Sequence, residues 1–200
     1  DYESAKADFD QAISMDPKNY DRLIEIYEAL AAHGYREVGQ EYLQNVLDTA
    51  KQLDAYDSGR IYYYLGEYQK AYLALDEARD KGGADSYLYL GRAYAATGDY
   101  NYASSVYNNY LSKQGPNAEI YNELGLCEMA KKEYQNALAA FQAGKQIEGN
   151  SLMQTLSFNE IVAYEYLQDY QKAAVLLKAY LQNYPDDQTA IREQQFLSTR

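Results

Sequence analysis

Along the whole chain apolar residues recur at three- and four-residue spacings, the period of a helix with one buried face. The alternation that marks a half-buried strand is missing, so no sheet is expected. Long amphipathic runs end at Pro17, Pro116 and Pro185, which lie 99 and 69 residues apart, close to three and two multiples of a shorter unit. Aligning the chain on that unit produces columns. A small residue recurs at Ala5, Gly39, Ala71, Ala103, Ala137 and Ala173, at spacings of 34, 32, 32, 34 and 36. Four positions later stands a large residue: Phe9, Leu43, Leu75, Tyr107, Phe141 or Leu177. An earlier column reads Tyr27, Gly59, Gly91, Gly125, Ile161, and a turn column reads Gly34, Gly66, Gly98, Lys132, Gln168.

A period of this length implies stacked two-helix units, each turned by a residue that tolerates a left-handed backbone. The small columns mark where helices approach closely, and the large columns fill the space beside them. The expected map is a lone second helix (1–19, helical over about 2–15) and five helix pairs over about 20–185. The pairs fall near 20–53, 54–82, 84–114, 117–147 and 151–184. A capping helix follows in 186–200, with Asp186 or Asp187 as its N-cap and Glu193, Gln194 and Gln195 facing solvent. The chain opens in mid-unit, which predicts that it is the C-terminal part of a longer protein. The unpaired face of the first helix, Tyr2, Ala5, Phe9, Ala12 and Ile13, is then a candidate for weak self-association.

The columns resemble the tetratricopeptide repeat family: an aromatic residue and then glycine in the first helix, glycine-acid-tyrosine at the turn, alanine and then a large residue in the second helix, proline at the end. The clearest stretch is Tyr87–Tyr110, YLYLGRAYAATGDYNYASSVYNNY. Tyr27 and Gly39 depart from the pattern, as do Ile161 and the longer lead-in over Glu148–Leu152. The resemblance implies an all-α, right-handed α-solenoid of antiparallel helix pairs. It also implies a groove, lined by first helices, that takes an extended or helical segment of a partner protein. On this chain the groove positions are Tyr56, Arg60, Tyr63, Leu88, Arg92, Asn122, Met129 and Phe158. Relatives that clamp acidic tails use Lys and Asn at set positions; only Asn122 matches in type, so that specificity is not carried over.

Charge narrows the choice of partner. There are 18 basic against 30 acidic residues, a net charge of −12. Such a surface repels nucleic acid and anionic membranes. Arg60 and Arg92, each directly after the glycine of its unit, are then two cations in an acidic protein. They are expected to anchor a carboxylate of the partner. The competing expectation is that they pair with the protein's own carboxylates, such as Asp57 or Asp85.

The chain is expected to be no enzyme and to need no cofactor or metal. His33 is the sole histidine and Cys127 the sole cysteine, too few for a catalytic triad or a transition-metal site. Cys127 is expected as a packed thiol and Gly82–Gly83 as a linker rather than a phosphate cradle. No apolar run reaches the roughly 18 residues of a membrane helix, so no direct insertion is expected. The 25 tyrosines are expected mainly as packing residues, with a minority on a recognition face. The alternative to a binding scaffold is a structural or self-association module of a larger protein. The Tyr-, Asn- and Gln-rich composition favours export or envelope anchoring in a Gram-positive bacterium, as a lipoprotein for example, over the cytoplasm.

Overall fold

The computed structural model describes residues 2–79 and 83–199, with the side chains of Tyr2 and Glu3 outside the description. Among the described residues there are twelve helices and no strand, an all-α helical-repeat solenoid. Gly82 lies outside the described residues, and Gly83 opens a helix. The chain divides into two compact units, Asp1–Tyr89 and Leu90–Arg200, with the division inside one helix.

The first unit holds α1 (Tyr2–Met15), α2 (Tyr20–Ala32), α3 (Arg36–Thr49), α4 (Ala55–Tyr64), α5 (Tyr68–Glu77) and the start of α6 (Gly83–Ala96). Its core gathers Leu23, Ile24, Tyr27, Leu43 and Ile61, with Ile13 of α1 and Tyr42 packed against them. The second unit holds the rest of α6, then α7 (Tyr100–Gln114), α8 (Ala118–Ala130), α9 (Tyr134–Lys145), α10 (Met153–Tyr166), α11 (Tyr170–Asn183) and α12 (Gln188–Leu197). One core there is built on Ala137, Phe141 and Leu156, another on Ile161, Ala173, Leu177 and Tyr180. The helices α2, α4, α6, α8 and α10 are the first helices of their pairs.

The starts and stops have local causes. Asn19, Asp54, Asn117 and Asp187 accept hydrogen bonds from backbone N–H groups in the first turns of α2, α4, α8 and α12. Asp187, rather than Asp186, therefore caps the last helix. All five positions of the turn column have positive φ. Glycine takes this at Gly34, Gly66 and Gly98, while Lys132 (φ 65°) and Gln168 (φ 63°) adopt it with a side chain. A side chain in that region costs about 1–2 kcal/mol.

The glycines of the first helices receive the large residues of the second. A Cβ on Gly59 would sit 2.5 Å from Leu75, one on Gly91 2.3 Å from Tyr107, and one on Gly125 2.3 Å from Phe141. The departure at Tyr27 and Gly39 is a reciprocal exchange. Tyr27 supplies the bulk from the first helix, and a Cβ on Gly39 would lie 2.9 Å from its ring. The two substitutions preserve one close approach between α2 and α3.

Candidate functional site

The eight expected groove residues fall in two sets. Tyr56, Arg60, Tyr63 and Leu88 belong to the first unit, and Arg92, Asn122, Met129 and Phe158 to the second. Burial separates them further. Leu88 is 3% exposed and is a core residue, because its side chain falls on the packed side of α6. Asn122 is also buried and accepts a 2.9 Å hydrogen bond from the Asn159 side chain of α10. Met129 packs on the core around Phe141, and Phe158 packs on Tyr180 with ring centroids 5.7 Å apart. Tyr56 and Tyr63 are half-buried.

The arginines are not uncompensated cations. Arg60 on α4, 6% exposed, donates to Asp21 of α2 and to Asp57 on its own helix, both at 2.5 Å. Its guanidinium lies over the Tyr56 ring, 4.2 Å from the centroid. Burial works against the charge, but the bonds to Asp21 and Asp57 more than offset it and hold the group above its ordinary pKa. Arg92 donates to Glu123 through Nε at 3.0 Å and Nη2 at 2.7 Å, and to Glu119 through Nη2 at 2.9 Å. Burial again opposes the charge, and Glu123 and then Glu119 outweigh it. Each arginine thus stands between two carboxylates, and each cluster carries a net charge of about −1. This corrects the expectation of a basic docking spot. Asp57 is one of the partners anticipated; Asp85 instead accepts from the Tyr56 hydroxyl at 3.4 Å.

Sequence reasoning missed Asp21, Glu119 and Glu123. A signal was present: α2, α4, α6 and α8 each carry an acid in the first turn, namely Asp21, Asp57, Asp85 and Glu119. An acid there suits the helix dipole and lies within reach of a cation on a stacked neighbour.

Polar bridges join neighbouring helices within each unit, between first helices in the first unit and from first to second helices in the second. In the first unit the Tyr64 hydroxyl donates to Glu28 at 2.6 Å and lies 3.0 Å from the Tyr89 hydroxyl. The Tyr63, Tyr64 and Tyr89 rings sit edge to face at 5.3–5.8 Å. In the second unit Glu160 of α10, 6% exposed, accepts from Lys145 at 2.6 Å and Gln142 at 2.9 Å. Glu128 of α8 accepts from Ser104 at 2.8 Å and Lys131 at 2.7 Å. First helices are also acidic in composition: α8 carries Glu119, Glu123 and Glu128, α10 carries Glu160 and Glu165, and neither has a basic residue.

His33 and Cys127 stay apart from this chemistry. His33 closes α2, with Nδ1 2.9 Å from the Ala29 carbonyl. The Cys127 thiol is buried, and burial with the charges of Glu123 and Glu128 pushes its pKa up to about 12, far from a reactive thiolate. Among the described residues no group of three or more His, Cys, Asp or Glu is arranged to hold a metal ion, and no helix is long and apolar enough to cross a membrane.

Stacked helix pairs joined through glycine–aromatic contacts define a helical-repeat protein of the kind used as an interaction module. Tetratricopeptide repeat profiles match residues 56–111, 90–151 and 158–187. The chain belongs to the tetratricopeptide repeat family. No curated protein matches it in sequence. Several solved structures share the fold. A tetratricopeptide repeat protein from Parabacteroides merdae aligns with TM-score 0.72 and 16% identity, over 99% of this chain and 78% of that one. The APC/C hetero-tetramer Cut9–Hcn1 aligns with TM-score 0.66 and 17% identity, over 97% of this chain. The chain spans 39% of that longer relative. YrrB, described as a TPR protein with an unusual peptide-binding site, aligns with TM-score 0.61 and 18% identity, over 94% of this chain and 97% of that one.

Proposed function

We propose that the chain is a non-catalytic protein-binding scaffold in which the first helices of each unit receive a segment of a partner protein. The observation that carries this reading is the character of the first-helix faces. They combine half-buried tyrosines with carboxylates, and their polar bridges hold both at fixed positions. Prearranged aromatic and charged groups on a rigid support lower the ordering cost of binding. The peptide-binding site reported for YrrB supports the same use of the fold. A carboxylate-presenting partner loses its basis, because Arg60 and Arg92 already hold two carboxylates each. Acidic first helices fit a partner with basic residues instead.

The test is selection of peptides from a random display library on the immobilised chain, followed by mapping of the selected peptides by amide chemical shifts. Basic peptides whose shifts concentrate on α4, α6, α8 and α10 are the expected result. Failure to enrich any peptide, together with a mass that grows with concentration in sedimentation, would contradict the scaffold reading and favour self-association.

A further inference from the structure

At the end of the second unit two carboxylates, Glu165 and Glu193, stand side by side. Glu165, in the last turn of α10, and Glu193 of α12 line the same cavity. This corrects the expectation that Glu193 lies on a solvent-facing end; it is half-buried. Among the described residues no lysine or arginine forms an ion pair with either group. Glu165 Oε1 is sealed from solvent and has no hydrogen-bond partner. An unsatisfied buried oxygen of this kind costs about 1–3 kcal/mol, so it calls for an explanation. Burial, together with the charge of Glu193, pushes the Glu165 carboxyl up to about 7.

The pair opens into a cavity of about 520 Å³ whose other walls are aromatic: Tyr166, Tyr170 and Phe196. Tyr166 is 58% exposed and Phe196 40%, a large aromatic area to leave facing water. Tyr166 is backed by Tyr134, the rings stacked with centroids 5.0 Å apart. Aromatic faces attract cations, and guanidinium groups stack on them most readily. A carboxylate pair beside three aromatic rings therefore suits a planar cation that is apolar on its faces and donates hydrogen bonds from its edge.

We propose that this cavity receives an arginine side chain of a protein partner, its guanidinium seated between Glu165 and Glu193 against the Tyr166, Tyr170 and Phe196 rings. The partner's being a protein rests on the scaffold reading above; the preference for a guanidinium rests on the cavity alone. The charge is complementary, since the protein carries −12 overall. The second unit contains an internal example of the geometry: Arg92 bonds Glu119 and Glu123 at 2.7–3.0 Å. At the Glu165 cavity the two acids are present and the guanidinium comes from the partner.

The isotopically labelled full chain is titrated with acetyl-arginine-amide, with its neutral isostere acetyl-citrulline-amide, and with calcium chloride, following backbone amides and the Phe196 ring by NMR. Saturable shifts at Glu165, Tyr166, Glu193 and Phe196 are expected with the arginine compound, with at least tenfold weaker binding of citrulline. Glu165→Gln with Glu193→Gln should weaken the arginine compound at least tenfold, and Tyr166→Ala, which leaves the acids intact, should weaken it severalfold. Equal binding of arginine and citrulline compounds would overturn the proposal, as would calcium occupying the cavity while the arginine compound does not. Peptide selection separates the two readings. If no peptide is selected, the mass grows with concentration and the arginine compound still binds, the scaffold reading fails and the cavity's selectivity stands. If a selected peptide binds wild type and the double variant alike, the cavity's part in partner recognition fails and the scaffold reading stands.

Discussion

Within the second unit, α8 and the α10–α12 end solve the same electrostatic problem in opposite ways. On α8, Glu119 and Glu123 sit one turn apart on a crowded face, and Arg92 of α6 lies between them. At the other end Glu165 and Glu193 also crowd each other, but among the described residues no lysine or arginine joins them. The difference shows what each region is suited to. A carboxylate pair closed by an internal arginine is finished and holds helices together. A pair left open beside exposed aromatic rings retains its attraction for a cation from outside. The contrast also moves the proposed recognition chemistry away from the two arginines, where the residue types alone had pointed.

The contrast assumes a rigid frame beneath both regions, and the severest way to break it is at Gly125. A Cβ there would enter the Phe141 ring at 2.3 Å. Gly125→Ala should cost about 3 kcal/mol, the upper range of overpacking, measured by urea unfolding. Gly59→Ala, which meets the flexible Leu75 side chain, should cost less.

Removing the internal cation comes next. Arg92→Met leaves Glu119 and Glu123 unpaired and should destabilise by about 2 kcal/mol. The matching change at the open pair has the opposite sign. The Glu165 carboxyl stands at about 7 in the folded chain against about 4.3 in an unfolded one. The folded state therefore binds the proton more tightly, and stability falls as pH rises from about 4 to 7, then levels off. Glu165→Gln should flatten that stretch and raise stability at pH 8 by about 1 kcal/mol, after allowance for solvent screening of a half-buried group. Tyr166 and Tyr170 are the other titratable groups lining the cavity. Thermal unfolding across pH 4–8 of both proteins measures the difference.

The smallest effects sharpen the frame. Lys132→Gly, after α8, and Gln168→Gly, after α10, relieve a left-handed backbone and should each stabilise by roughly 0.5–1 kcal/mol. Their gains should be alike, because the two turns have nearly the same φ.

These variants also show how much the sequence disclosed. Periodicity placed the helices and the turn column, including Lys132 and Gln168, because helix spacing and turn position are local properties of one repeat. The glycine column and its large partners were legible for the same reason. The exchange of Tyr27 and Gly39 was not. Judged one column at a time, each is a defect, and only their contact shows that one offsets the other. The arginine partners were hidden too, because Asp21 is 39 residues from Arg60 and Glu123 is 31 from Arg92. Pairing at that range depends on how stacked helices are offset, and no single repeat encodes the offset. Glu165 and Glu193 were passed over because a carboxylate on a helix is ordinarily solvated. Nothing in their spacing reveals that α12 folds back on the end of α10.

The most direct measurement of the central contrast is the carboxyl carbon titration of Glu165 by NMR, alone and with saturating acetyl-arginine-amide. The open pair predicts a midpoint near 7 in the free protein. With the arginine compound bound, the midpoint should fall by at least one pH unit, since a guanidinium between the acids favours the charged form. A midpoint that stays in place with the compound bound would contradict the account, because the pair would then be closed to a cation from outside.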